Sequence, residues 1–412
     1  MDRTILHCDC NAFFASVECI DRPELKHVPM AVAGDPKNRT GIILAKNDLA
    51  KAFGVKTAET VYAAKSKCPE LTLVPPRHRR YQEVSGRVNA VYQRYTDQVE
   101  PFGIDESWLD VTGSLSLLKI TGPRLADEIR ARVREEIGIT ISVGVSFCKI
   151  LAKMGSDLKK PDATTVLTRE NFRERIWPLP AGDLLFAGRS TVRLLEKHGI
   201  KTIGGIAQAQ REELGKLMGK GGELLWNYAN GIDDDPVRSA GHPEEVKSVG
   251  NGMTFPRDLL TMDEIKAGVS MLADEVSTRM RNHGVKCQTI AVHLKDPSMK
   301  TISRQTSLKT PTRLQAELID QAMRLIRANW KPGAPVRALT ITAAHLIPED
   351  QDASQLSLFE DDQAKKREKL EKLEDAVYKI RGRFGSDSIS MGAPEQVIGR
   401  NRREKPERED NQ

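Results

Sequence analysis

The first half of the chain alternates short apolar segments with segments of helical periodicity. Residues 4–9 (TILHCD) alternate in polarity and predict a strand, and residues 11–18 (NAFFASVE) are typical of a helix start. Residues 103–111 predict a tight hairpin, and residues 140–146 (TISVGVS) predict a buried strand. The remaining predicted elements are strands at 28–33 and 41–44 and helices at 48–53, 84–95 and 123–136. Because strands and helices alternate, this half is predicted to be α/β.

The pattern changes after about residue 161. Residues 166–232 have helical spacing interrupted by glycines, and residues 233–246 are polar and contain two prolines, as linkers often do. Residues 247–346 then predict a compact module of βαββαβ-like order. After its first strand, this module is predicted to contain a helix at 263–282, strands at 289–294 and 300–305, a helix at 312–328 and a strand at 336–343.

Beyond residue 348 the chain is acidic and polar, and then densely charged. The apolar cluster at residues 355–359 (QLSLF) has no core to join, and segments of this kind usually dock on a partner. A short core strand is the alternative. Residues 365–383 carry apolar side chains at helical intervals, which predicts a solvated helix with one apolar stripe. That stripe either packs back on the preceding module or meets a partner.

The composition is that of a multidomain globular protein that stays in the cytoplasm. A length of 412 residues predicts about two to four domains, and no apolar run approaches the ~20 residues of a membrane span. The first residues lack the apolar stretch of a signal peptide. The six cysteines form no CxxC pairs, which indicates reduced thiols and no zinc site. A net charge of +6 is compatible with nucleic-acid binding.

Three carboxylates mark the ends of predicted strands. Asp9 ends the first strand, and Asp105 and Glu106 lie at the tip of the hairpin. Carboxylate oxygens are ligands that Mg²⁺ prefers, and two such ions about 3.5–4 Å apart can stabilise both oxygens of a phosphoryl transfer. The pattern therefore predicts a two-metal site, with three ordinary exposed acids as the alternative.

Three ordered segments resemble the motifs of the Y-family DNA polymerases, and within that family the DinB or DNA polymerase IV branch. They are residues 9–18 (DCNAFFASVE), residues 103–111 (GIDESWLDV), and residues 142–153 (SVGVSFCKILAK) together with residues 159–161 (KKP). The resemblance extends from the N-terminus to about residue 346. It implies a template-directed, error-prone and poorly processive translesion enzyme that adds dNTPs to a primer 3′ end.

The resemblance also implies a right-hand polymerase fold. The expected domains are a palm at 1–10 and 79–165, small fingers at 11–78, a helical thumb at 166–232, a linker at 233–246, a little finger at 247–346 and a tail at 347–412. The overall class is then α/β with an α+β multidomain arrangement. A monomer is the expected oligomeric state.

The site residues that the resemblance implies surround two Mg²⁺ ions. Asp9 and Asp105 would bridge the ions, Glu106 would hold the catalytic one, and the backbone carbonyl of Cys10 would add an oxygen ligand. Phe14 would be the steric gate, because its rigid ring would lie where a ribose 2′ hydroxyl projects. Core packing is the alternative role of that ring.

The triphosphate contacts depart from the family pattern. Lys160 and Lys149 match basic positions of the third motif. In the fingers helix, however, Asp48 stands where the family commonly has tyrosine, and Lys51 where it has arginine. Lysine offers a point charge instead of a planar fork, so Lys51 is expected to bind the triphosphate differently.

The resemblance implies two macromolecular partners. They are primer–template DNA and the bacterial sliding clamp (the beta subunit). Glycine-rich turns at residues 185–191 and 219–222 would contact DNA phosphates without reading sequence, although Phe186 replaces an expected glycine. Gln355, Leu356, Leu358 and Phe359 resemble a clamp-binding peptide.

Two other functions fit part of the sequence. A non-catalytic relative that recruits polymerases would lack the metal carboxylates, which are present here. A different two-metal palm enzyme, such as a nucleotide cyclase, would need neither thumb turns nor a clamp peptide. Both observations favour the polymerase.

Overall fold

The computed structural model describes residues 2–39, 41–241, 245–351, 361–385 and 388–389. The chain forms two compact units, the first of Met1–Asp35 and Gly41–Pro243, the second of Pro36–Thr40 and Glu244–Gln412. Among the described helices, none is both long and apolar enough to cross a membrane.

A five-stranded sheet with the order β5-β6-β1-β7-β8 organises the first unit. Up to the last of these strands, the elements in chain order are β1 (Ile5–Cys10), α1 (Phe13–Asp21), β2 (Met30–Ala33), β3 (Ile43–Lys46), α2 (Asp48–Ala52), α3 (Val61–Lys67), β4 (Thr72–Val74), α4 (His78–Tyr92), β5 (Val99–Pro101), β6 (Glu106–Asp110), α5 (Thr112–Leu118), α6 (Gly122–Ile137), β7 (Ile141–Ser146), α7 (Lys149–Leu158) and β8 (Thr164–Val166). Strand β1 lies antiparallel to both β6 and β7, and β8 runs parallel to β7. The α/β prediction for this half is confirmed.

Both faces of this sheet are covered, which explains why β1 is buried along its whole length. One face contributes Leu6, Cys8 and Leu109 to a core that also contains buried residues of α4 and α6. Helix α7 lies on the other face, directly over Gly144. A Cβ on Gly144 would be 1.9 Å from the carbonyl oxygen of Ala152, so only glycine allows α7 to approach the sheet this closely.

A small sheet of order β3-β2-β4 forms a separate cluster with α2 and α3. Its core contains Ile43, Ala50, Val61 and Leu71. Asn47 begins α2 by accepting a hydrogen bond from the backbone N–H of Ala50, and Thr60 begins α3 in the same way.

The first unit continues as a group of short helices with its own core, which includes Leu195, Ile203 and Leu214. These helices are α8 (Phe172–Ile176), α9 (Arg189–Lys197), α10 (Ile203–Gln208), α11 (Arg211–Met218) and α12 (Lys220–Ala229). Phe186, in the loop before α9, is largely exposed and has a φ of 70°. The backbone therefore adopts the left-handed conformation that glycine favours, although the residue is phenylalanine.

The first part of the predicted linker is a packed segment of the first unit. Asp233 accepts a hydrogen bond from the backbone N–H of Ile150, in the first turn of α7, at 2.9 Å. Arg238 donates two hydrogen bonds of 3.0 Å to Glu100, one from its backbone N–H and one from its side chain. The preceding residue, Val237, is buried. These contacts stabilise the position of α7 on the sheet.

The second unit has the βαββαβ order that the sequence predicts. Its elements are β9 (Ser248–Leu259), α13 (Met262–Asn282), β10 (Val285–Lys295), β11 (Thr301–Thr312), α14 (Gln315–Asn329) and β12 (Val336–Pro348). All strand pairs are antiparallel, in the order β11-β10-β12-β9. Both helices share one core with the sheet, and Thr261 and Glu264 form a capping box at the start of α13.

The predicted tail helix exists as α15 (Asp361–Phe384), and it packs back on the second unit. Charged side chains dominate the contact. Glu374 and Arg281 form an ion pair of 2.8 Å in which each side chain is only 5% exposed. Glu374 also accepts a hydrogen bond of 3.0 Å from the backbone N–H of Gln315, the first residue of α14. Arg381 pairs with Asp274 at 2.9 Å.

Replacing Glu374 with alanine is expected to destabilise the second unit by about 3–5 kcal/mol, because it leaves Arg281 buried without its partner. Chemical denaturation followed by circular dichroism measures the change. Glu368 on the same helix pairs with Lys372 in solvent, so Glu368→Ala should leave the unfolding midpoint unchanged. Equal midpoints for Glu374→Ala and Glu368→Ala would contradict this role.

Candidate active site

Asp9 and Glu106 lie directly opposite each other on the adjacent strands β1 and β6. Asp105 precedes Glu106 in the turn of the β5–β6 hairpin, and its carbonyl accepts a hydrogen bond of 2.9 Å from the backbone N–H of Cys10. Asp9 is buried, whereas Asp105 and Glu106 are partly exposed. The strand end and the hairpin turn thus bring the three predicted acids together.

Two lysines lie against these acids. The Nζ of Lys153, on α7, is 2.9 Å from Glu106 Oε1 and 3.6 Å from Asp9 Oδ2. The Nζ of Lys160, just after α7, is 2.7 Å from Asp9 Oδ2 and 2.8 Å from Asp157. Two ammonium groups therefore offset the negative charge of Asp9 and Glu106. Lys153 was not among the site residues predicted from the sequence.

Burial and charge separate the pKa values of the acids. Burial raises the pKa of Asp9 to about 6, although the nearby Lys160 ammonium acts in the opposite direction. Burial and the Glu106 charge also raise the pKa of Asp105. Burial acts upward on Glu106 as well, but the His7 imidazole and the Lys153 ammonium beside it bring its pKa down to about 2.

The possible metal ligands are the carboxylate oxygens of Asp9, Asp105 and Glu106. Oxygen ligands of this kind fit a hard divalent cation. In the part of the chain that the structure describes, no three His, Cys, Asp or Glu side chains converge closely enough to hold a metal ion as they stand. The reason is visible in the ion pairs, because the oxygens of Asp9 and Glu106 are turned towards Lys153 and Lys160.

An aromatic stack joins the first turn of α1 to α4. The ring of Phe14 stacks on Tyr81 with centroids 4.2 Å apart and an angle of 13°, and His78 meets it edge-on at 5.9 Å. The Tyr81 hydroxyl donates to the buried Glu18 carboxylate at 2.7 Å, which Arg77 also binds at 2.9 and 3.0 Å. Phe14 therefore has a rigid support that the sequence analysis did not identify.

Two family models match the chain in order. The impB/mucB/samB family matches residues 8–157, and the C-terminal domain of the same family matches residues 246–358. A DNA polymerase IV from Acetivibrio thermocellus is 44% identical over 402 residues, which cover 98% of this chain and 100% of that protein. DNA polymerase IV 2 from Bacillus subtilis is 38% identical over 95% of this chain and 94% of that protein.

The chain belongs to the DNA polymerase IV branch of the Y-family DNA polymerases. It is a DNA-directed DNA polymerase, and translesion synthesis is the function of this branch. Its substrates are primer–template DNA and deoxynucleoside triphosphates, and the family is metal-dependent. This result excludes the nucleotide cyclase alternative.

A solved Y-family DNA polymerase chimera has the same fold as this polymerase. It matches with a TM-score of 0.73 at 24% identity, and the match covers 84% of this chain and 99% of that chain. The right-hand α/β fold with its little-finger domain is thereby confirmed.

Lys149 of the polymerase lies at a different place from the acids. Its Nζ binds both oxygens of Glu100, at 2.8 and 2.9 Å, and lies 4.6 Å from the centre of the Trp108 ring. Its side chain is only 12% exposed, so this ammonium is already neutralised in a partly buried ion pair. The structure thus brings Lys153, one helical turn later, to the acids instead of Lys149.

Two lysines flank the start of α2, Lys46 at the end of β3 and Lys51 on α2 itself. Lys46 donates a hydrogen bond of 3.1 Å to Thr57, and burial together with the nearby Lys51 charge lowers the pKa of Lys46. Lys51 is exposed on α2, and Asp48 is the first residue of that helix.

Proposed function

We propose that the polymerase extends primer 3′ ends by two-metal phosphoryl transfer, with low fidelity and low processivity, on damaged templates. The observation that carries this proposal is the pairing of Asp9 and Glu106 across adjacent strands, with Asp105 in the turn beside them. In-line phosphoryl transfer needs cations at the attacking and leaving oxygens, and these three acids are the clustered hard ligands of the palm sheet.

The proposed ligands of two Mg²⁺ ions are Asp9, Asp105, Glu106 and the backbone carbonyl of Cys10. When bound, the ions stabilise negative charge on the attacking and leaving oxygens. Burial raises the pKa of Asp9 to about 6 and also raises that of Asp105, so protons are expected to compete with the cation for these carboxylates as the pH falls. The low pKa of Glu106 keeps one full negative charge ready at neutral pH.

The lysines beside the acids have a second proposed role. Lys160 is 32% exposed and pairs with Asp9, so its ammonium can turn to a triphosphate oxygen once a cation neutralises that carboxylate. Lys153 pairs with Glu106, and its ammonium is proposed to turn to a triphosphate oxygen in the same way once a cation neutralises Glu106. Lys149 is removed from the proposed triphosphate contacts, because Glu100 already binds it.

The proposed domains follow the expected boundaries. Residues 1–10 and 79–165 form the palm, 11–78 the fingers, 166–232 the thumb and 247–346 the little finger. The small size of the fingers sheet supports an open site, since three short strands offer little surface to enclose the template. We further propose that the enzyme is cytoplasmic and monomeric.

Primer extension with Mg²⁺ on an undamaged and an abasic template tests the function. The expected result is synthesis past the abasic position and products only a few nucleotides long when each enzyme molecule binds DNA once. Complete arrest at the abasic site, or long products from a single binding event, would overturn the respective part of the proposal.

Replacing Lys51 with alanine is expected to raise the KM for the incoming dNTP about fivefold with little change in kcat, because it removes one phosphate contact of about 1 kcal/mol. Steady-state kinetics on a single-nucleotide gap measure it. Lys65→Ala, at an exposed position on α3, is the matched control. An unchanged KM for Lys51→Ala would remove this lysine from the triphosphate site.

The proposed clamp-binding peptide, Gln355, Leu356, Leu358 and Phe359, lies outside the described residues. A tethered polymerase gains effective concentration at the primer end, so deleting residues 355–359 is expected to reduce clamp-stimulated synthesis about 10²-fold. Synthesis without the clamp should not change. Ser357→Ala is the matched control within the peptide, and clamp stimulation that survives the deletion would disprove the tether.

A further inference from the structure

His7 is a completely buried histidine in the middle of β1, two residues before Asp9. Its ring meets Trp108 edge-on, with centroids 5.3 Å apart. Nδ1 lies 2.8 Å from the hydroxyl oxygen of Ser156 on α7, and Nε2 lies 3.4 Å from Oε2 of Glu106. Within the described residues, Nε2 has no well-aligned hydrogen bond. A buried ring nitrogen thus points at a proposed metal ligand.

The two oxygens of Glu106 face different groups. Oε1 contacts the Lys153 ammonium at 2.9 Å. Oε2 faces His7, on the buried side. A group that fixed Oε2 would therefore determine the direction of Oε1, since the two oxygens share one rigid plane.

The tautomer of His7 follows from its surroundings. A neutral imidazole carries one N–H, and a lone pair on Nε2 would face a carboxylate oxygen and be repelled by it. The favourable arrangement places the hydrogen on Nε2, and Nδ1 then accepts a hydrogen bond from the Ser156 hydroxyl. The carbonyl of Lys153, 2.7 Å from the same hydroxyl, is the competing acceptor.

Gly144 makes this contact with Ser156 possible. Gly144 is the β7 partner of His7 in the sheet, and a Cβ there would lie 2.6 Å from the backbone nitrogen of Ser156. Because glycine lets α7 lie directly on the strand, the Ser156 hydroxyl reaches the imidazole.

We propose that His7 is a positioning residue whose Nε2–H holds Oε2 of Glu106 and thereby presents Oε1 to the cation. When its hydroxyl donates to Nδ1 and not to the Lys153 carbonyl, Ser156 supports the tautomer that can do so. This inference rests on the proposed role of Glu106 as a metal ligand. Hydrogen bonds to the remaining atoms of a metal ligand commonly change metal affinity 10- to 100-fold when they are removed.

The test compares His7→Phe, His7→Gln and Ser156→Ala with the unchanged enzyme. Phenylalanine keeps the ring volume without a donor, and the glutamine amide places an N–H near the position of Nε2. Mn²⁺ binding to the free enzyme, followed by electron paramagnetic resonance, is the direct measurement. The Mg²⁺ concentration for half-maximal extension and the KM for dNTP are measured alongside.

We expect His7→Phe to weaken Mn²⁺ binding about 10- to 100-fold and to raise the required Mg²⁺ concentration, with the KM for dNTP at saturating metal unchanged. His7→Gln should recover most of the affinity, and Ser156→Ala should lie between them. Equal losses for His7→Phe and His7→Gln, or unchanged Mn²⁺ binding in His7→Phe, would overturn the inference.

Two further measurements separate the possible failures. If His7→Phe does not fold, the Ser156→Ala variant alone provides the test. Mn²⁺ binding by Ser156→Ala equal to that of the unchanged enzyme would then overturn the proposal. Glu106→Ala is measured in parallel. If Glu106→Ala binds Mn²⁺ normally, the metal role of Glu106 itself fails, whereas normal binding by the His7 and Ser156 variants alone rejects only the positioning role.

Discussion

Replacing Asp105 with alanine is expected to reduce primer extension at least about thousandfold. Metal ions stabilise the transition state of phosphoryl transfer by several kcal/mol, and each 1.36 kcal/mol corresponds to about tenfold in rate. Asp9→Ala and Glu106→Ala should have effects of the same order, because the three acids are proposed to hold the ions jointly. Single-turnover extension with Mg²⁺ at pH 8 measures all three.

Loss of activity in the Asp105 variant should not reflect unfolding. Burial raises the pKa of Asp105, so its ionised form is disfavoured in the folded state, and that cost is present above the folded pKa. Without metal at pH 8, Asp105→Ala is therefore expected to unfold at no lower temperature than the unchanged enzyme. Asp127→Ala, an exposed acid on α6, is the activity control. Extension by any one of the three variants at the normal rate would remove that acid from the site.

Replacing Phe14 with valine is expected to increase the use of ribonucleotides about 10- to 200-fold relative to deoxyribonucleotides. The ring stacks on Tyr81, which the Glu18 carboxylate fixes through its hydroxyl, so Phe14 cannot easily move away from an added oxygen. Removing the steric clash between the Phe14 ring and a ribose 2′ hydroxyl is expected to lower the free energy of the ribonucleotide transition state by about 1–3 kcal/mol. The measurement is the ratio of kcat/KM for ATP to that for dATP.

Tyr81→Phe is the matched control for the gate. It keeps the stacked ring but removes the hydrogen bond to Glu18, so selectivity should relax much less than in Phe14→Val. An unchanged ratio in Phe14→Val would return this residue to the alternative role of core packing.

Local patterns predicted much of the fold and the position of the acids. β1 and β7 occupy almost the predicted residues, because their apolar runs are buried on both faces of the sheet. The placement of Asp9 at a strand end and of Asp105 in a hairpin turn was predictable because both are local features, and the pairing of β1 with β6 then brings the two acids together. The βαββαβ order of the second unit follows from clear changes of period, and its first helix, α13, begins one residue before the prediction.

Features that depend on packing between distant segments were not predictable. Which lysine of α7 reaches the acids depends on where the helix crosses Gly144, and the sequence offers both Lys149 and Lys153. Strands β4 and β8 have three residues each, too few for a period to be detected. The tail helix buries Glu374 through an ion pair, whereas Leu373 and Ile380 of its predicted apolar stripe are exposed.

The six cysteines are all buried, and burial raises the pKa of Cys148 and Cys287 to about 12. Thiolates, not thiols, react with maleimides and oxidants, so the native sulfurs should be almost inert in the folded enzyme. A single cysteine introduced at an exposed position could therefore carry a fluorophore without prior removal of the others. Single-molecule experiments could follow the polymerase with its wild-type interior intact.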